Sequence, residues 1–211
     1  MKNILIAGPS RAGKSSLAAR LGQALGHFVI HLDKLAAAFQ GAWPHMEIGL
    51  GLDRDQTSRN LAPFLGHWLG LLSSGDGRGL LPYSHGAAKG NRFIVEGGYW
   101  DFGAMAPFLA QYGIRGLKER FILIGLAQTR KTAGEFFADF RKHDTEDDWT
   151  RGLDDGDLRE FCEKAVPDNR AMSGYLRGHG FAVYDTGAGR EQVFDGIIAA
   201  LAQESPPEET P

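Results

Sequence analysis

Lys14 and Ser15 close the run Gly8-Pro9-Ser10-Arg11-Ala12-Gly13-Lys14-Ser15, which has the spacing G-x-x-x-x-G-K-[ST]. Those residue types suit one task, holding a chain of phosphates. Gly8 and Gly13 allow backbone conformations and close approaches that a β-carbon obstructs. The amides from Gly8 to Ser16 can then converge on an anion, with the positive end of a helix behind them. Lys14 can reach β- and γ-phosphates, and the Ser15 hydroxyl can ligate Mg²⁺. Two acids follow at places where chemistry is expected, Asp33 and Glu96, the latter ahead of Gly97 and Gly98. Further along, Arg130, Lys131, Arg141, Lys142 and Arg151 flank an acidic stretch and can close over phosphates.

The flanking elements must position these groups. Ile4 to Ala7 is a short apolar run suited to a strand buried on both faces. Leu17, Leu21, Ala24 and Leu25 recur at helical spacing, and Gly26 is a C-terminal stop. His27 to Asp33 reads as a second strand ending in an acid. In open α/β sheets the ligand crevice lies outside the carboxyl ends of the strands. Asp33 is alternatively the N-cap of a helix over 34–39. The stretch 40–89 is too long for a structureless loop and should hold helices. One follows the stripe Leu61, Leu65, Trp68, Leu69 and Leu72, starting or bending at Pro63. Further strands are expected from Arg92, from Arg120 and from Phe181. Helices are expected over 105–112, 129–140, 158–166 and 192–201. Alternating strands and helices with five buried strands predict a three-layer α/β/α fold around a parallel sheet.

Composition narrows the partners. At 211 residues and net charge −3, the chain suits one domain, over 1–202, without a general attraction to nucleic acid or anionic membrane. Cys162 is the single cysteine, so no intrachain disulfide forms, which fits a reducing, cytoplasmic setting. No run approaches the ~20 apolar residues of a membrane span. The acidic, Pro-rich tail 203–211 reads as disordered.

On Gly8–Ser15, Asp33, Glu96-Gly97-Gly98, the arginines after strand four and Val183-Tyr184-Asp185-Thr186-Gly187, nearly the whole chain resembles the P-loop kinases of the nucleoside, nucleotide and shikimate kinase type. The resemblance implies Mg-ATP as donor and a small-molecule acceptor held by a helical insertion, here 40–89. It implies a lid over 130–151 whose arginine, Arg141, clamps the transferred group. Residues Gly8 to Ser16 would hold the nucleotide, with Lys14 also catalytic. Asp33 would orient or deprotonate the acceptor, with Glu96, Gly97 and Gly98 beside it. The strand-five turn would border the adenine. No N-K-x-D stands in the chain to read guanine, and the acceptor is not assigned. Two further readings stay open: an ATPase coupled to conformational change or a protein partner, and a nucleotide-binding module with little turnover.

Overall fold

The computed structural model describes residues 2–73, 92–146 and 148–203. The turn-rich stretch 75–79 and the tail from 204 lie outside the described residues. Five strands form one parallel sheet: β1 (Asn3–Ala7), β2 (Phe28–His31), β3 (Phe93–Gly97), β4 (Phe121–Ala127) and β5 (Ala182–Asp185), in the order β2-β3-β1-β4-β5. The helices are α1 (Lys14–Leu25), α2 (Leu32–Ala42), α3 (Arg54–Ser73), α4 (Phe102–Ala110), α5 (Ala133–His143), α6 (Asp155–Gly178) and α7 (Arg190–Gln203).

Side chains alternate across each strand. Ile4, Ile6, Ile94, Ile124 and Leu126 join a core with α1 and α7. Leu5, Ala7, Val95 and Leu123 join the opposite core with α2, α3, α4 and α6. The three-layer α/β/α architecture is therefore as the alternation of apolar runs and helical stripes predicts. The three central strands are buried, whereas the edge strands β2 and β5 are half-open, so not all five are fully covered. A smaller core, Phe136, Phe140, Leu158 and Cys162, joins α5 to α6. Thr132 starts α5 with a reciprocal capping box to Glu135.

Two boundaries depart from the sequence reading for tertiary reasons. β2 stops at His31, and Leu32 opens α2 because its side chain packs where a Gly97 β-carbon would lie, 2.6 Å from Leu32 Cβ. Asp33 is thus the second residue of a helix, neither a strand end nor an N-cap. The N-cap is His31, which makes no side-chain cap bond. Helix α6 runs for 24 residues, through Pro167, where 158–166 alone had helical character. Asn169 carries it on: its Nδ2 donates to Ala165 O at 2.8 Å, and its Oδ1 accepts from Gln128 N at 2.8 Å. Pro63 likewise lies within α3, which begins well upstream at Arg54.

α3 packs against α4 through glycines. A β-carbon on Gly66 would sit 2.6 Å from Phe108 Cβ and 3.0 Å from Met105 O. This close approach fixes the helix that carries Arg54 and Arg59. Gly66→Ala should cost about 1–3 kcal/mol through overpacking, read as a lower urea midpoint with unchanged slope. A midpoint equal to wild type would show that the helices separate without cost.

Candidate active site

The phosphate loop joins the end of β1 to the start of α1. A β-carbon on Gly8 would lie 2.3 Å from Leu126 O, so only glycine lets β1 leave the sheet this close to β4. Gly13 has φ +92°, in the left-handed region, and turns the chain into α1. The first-turn amides of α1 have no acceptor within the helix, and its first turn holds no acid to neutralise them. Ala12 is buried, and Thr186 Oγ1 donates to its carbonyl at 2.9 Å, tying the loop to the turn after β5. Ser10, Ser15 and Ser16 are exposed. This bare, cationic cradle fits a phosphate group.

Lys14 Nζ donates to Pro9 O at 2.8 Å, folded along the loop. Burial lowers its pKa most; Glu96 and Asp33 pull it back up, and Arg54 pushes it further down. Asp33, on the open first turn of α2, has a raised pKa. Desolvation by burial is the largest cause, Lys14 opposes it, and Glu96 adds to it. Glu96 is buried at 3 % exposure and accepts from Ser15 Oγ at 2.9 Å. Its same Oε1 lies 2.5 Å from His31 Nδ1, its neighbour in the β2–β3 register. A Mg²⁺ ion shared with phosphates needs few protein ligands, and Ser15 backed by Glu96 fits that requirement.

The structure brings Lys14, Ser15, Asp33 and Glu96 together from α1, α2 and β3. It separates two other predicted residues from them. Gly97 is a packing residue, lying against Leu32, whereas Gly98 opens beside Gly8 O. Arg141 Nη2 donates to Asp155 Oδ1 at 2.6 Å and to Leu153 O at 3.0 Å, with its guanidinium over Phe137. It binds the α5–α6 junction and does not line either cleft. Trp100 is core: Nε1 donates to Gly97 O, and the ring stacks on Phe102.

Two clefts flank the loop. On the β4–β5 side, Arg11, Lys131, Phe136, Phe140, Gly187 and Arg190 line one. On the β3 side, Arg54, Arg59, Gly98, Trp100, Asp101 and Tyr175 line the other. Sequence reasoning passed over Arg54, Arg190 and His31 as site residues. Only His31, two residues before Asp33, carried a local signal. Arg54 reaches the site because α3 lays its N-terminus there, close enough for its charge to act on Lys14 and Tyr99.

No protein-family model matches the chain, and no curated protein matches it in sequence. Solved structures do match over nearly its full length. A shikimate kinase from Acinetobacter baumannii, in complex with shikimate, is 16% identical with a TM-score of 0.55, covering 97% of this chain and 95% of that one. A shikimate kinase from Bacteroides thetaiotaomicron is 13% identical at TM-score 0.53, covering 96% and 97%. The YorR protein from Bacillus subtilis, in complex with phosphorylated GDP, is 14% identical at TM-score 0.51, again covering 96% and 97%. The chain shares its fold with these shikimate kinases. Among the described residues, no helix is long and apolar enough to cross a membrane.

Because Asp33 has its pKa raised in the fold, its charged form is penalised at neutral pH. Asp33→Asn should therefore melt no lower than wild type at pH 7, and slightly higher. The difference should fade as pH falls through the raised folded value and vanish below the ordinary carboxylate range, where both folded and unfolded Asp33 are protonated. A lower melting temperature at pH 7 would mean that its favourable place at the N-terminus of α2 outweighs desolvation.

Proposed function

We propose that this protein is a small-molecule kinase that transfers the γ-phosphoryl group of Mg-ATP to an acceptor. The observation that carries the reading is a second cleft beside the one that Arg11 and Thr186 line, with Arg54 on its wall and Asp33 both close enough to Lys14 for their charges to act on it. A plain ATPase needs a place for nucleotide and water; it does not need a second cleft lined by Arg54, Arg59, Gly98 and Trp100. The similarity in fold to shikimate kinases supports the same reading.

In this mechanism the loop amides from Gly8 to Ser16, with Lys14, hold the β- and γ-phosphates. Phe136, Phe140 and the turn at Gly187 border the base. Ser15, backed by Glu96, would hold Mg²⁺, whose chemistry is to neutralise charge on the phosphate oxygens. The acceptor lies in the β3-side cleft with its hydroxyl toward Asp33. The hydroxyl oxygen forms its bond to the γ-phosphorus as the bond to the β–γ bridging oxygen breaks. Asp33 takes the hydroxyl proton, and ADP leaves with the bridging oxygen. A raised pKa improves Asp33 as proton acceptor, and the positive charge of Lys14 works against that rise by favouring the ionised form. The lysine also meets the negative charge that gathers on the transferred group.

A screen of nucleosides, nucleotides, sugars and small hydroxy acids, read by ADP release, tests the reading. Wild type should release ADP slowly alone and rapidly with the right acceptor. Asp33→Asn should keep ATP affinity within a few-fold and lose about 10²–10⁴-fold in acceptor-dependent turnover. Fast ADP release that no acceptor changes, and that Asp33→Asn leaves intact, would replace the kinase with an ATPase.

A further inference from the structure

Arg11 stands inside the phosphate loop, yet its guanidinium is engaged elsewhere. Nη2 pairs with Asp144 and donates to Thr150 Oγ1 at 2.8 Å; Nη1 lies 3.0 Å from Asp148 Oδ1. The plane sits over Phe140, 5.2 Å from its centroid. Thr150 in turn donates to Asp144 Oδ2 at 2.5 Å. Asp144 and Thr150 are buried, at 5 % side-chain and 0 % residue exposure. One residue of the loop therefore holds three residues of the turn between α5 and α6, across more than 130 positions of sequence.

Charge makes this contact consequential. Asp144 lines the nucleotide cleft, where an unpaired carboxylate would repel phosphates. Both terminal nitrogens of Arg11 are committed to this turn, so Arg11 adds little direct pull on a phosphate. Arg11 also has φ +64°, a conformation that a glycine adopts more readily. What arginine adds at that position is a planar fork matched to two carboxylates and a hydroxyl.

We propose that Arg11 is a positioning residue. It seats the turn bearing Asp144, Asp148 and Thr150 against the phosphate loop, and so couples that turn to nucleotide binding. The proposal rests on the reading of Gly8–Ser15 as a nucleotide site. It gives the lid a different basis from Arg141: its anchor is the loop itself.

Four proteins test it: wild type, Arg11→Asn, Asp144→Asn and the double variant. Asparagine tolerates positive φ but cannot span the contact. Without nucleotide, hydrogen exchange around Asp144 and Thr150 should quicken several-fold in both single variants. Mg-ADP affinity, by calorimetry, should fall about tenfold in each, the size of an ordinary coupling, and no further in the double variant. Arg11→Lys, with a point charge in place of the fork, should restore only part of either effect. Loss of ADP affinity in Arg11→Asn but not in Asp144→Asn, persisting in the double variant where no Asp144 carboxylate remains to repel phosphate, would make Arg11 a direct phosphate ligand and overturn the proposal. So would wild-type exchange rates in both single variants. Should Asp144→Asn not fold, Thr150→Val takes its place in the cycle. A wild type that fails to bind Mg-ADP would instead overturn the nucleotide reading, and the exchange data would still decide whether Arg11 seats the turn.

Discussion

The site depends on one close approach, that of Gly8 to the Leu126 carbonyl where β1 leaves the sheet. It lets the loop turn sharply between two strands and start α1 directly beneath the anion cradle. The parallel sheet does the rest. Every strand points the same way, so the carboxyl ends of β1, β2 and β3 meet at one edge. Glu96 and His31 face each other there because they are register partners. Asp33 joins them because α2 begins immediately after β2.

The electrostatics are a set of offsets. Lys14 is held where burial works against its charge, and Glu96 and Asp33 partly restore it. Asp33 is held where its own charge is costly, with Lys14 restoring it. Each group is poised by the other, and a phosphate chain beside Lys14 would change both. The same balance appears at the rim of the cleft on the β4–β5 side, where Asp139 is paired with Lys131 and Asp144 with Arg11. A site that leaves its acids unpaired would work against an anionic ligand.

Much of this was legible in the sequence because its signals are local. The spacing of Gly8, Gly13 and Lys14 is a property of eight consecutive residues. The central strands are built on the apolar runs Ile4 to Ala7, Phe93 to Val95 and Phe121 to Ala127, and Gly26 ends α1 in the left-handed conformation its position suggests. What was not legible depends on distant partners. Leu32 continues an apolar run and looks like strand; the space at Gly97 makes it the start of a helix. Pro167 looks like a helix end; Asn169, bound to Ala165 and to Gln128, lets α6 continue. The arginines divide in the same way. The family resemblance marks Arg141 as lid charge, but Asp155 and Leu153 claim it, and the contact between the α5–α6 turn and the phosphate loop comes from Arg11.

The central claim is that the loop around Lys14 binds the phosphates of a nucleotide. Calorimetry with ATP and with adenosine, on wild type and Lys14→Ala, measures it most directly. Loss of a charge-assisted contact is worth about 1.5–3 kcal/mol, so ATP affinity should fall about 10–150-fold while adenosine affinity stays near wild type. Equal losses for ATP and adenosine, or ATP affinity unchanged in the variant, would contradict the account.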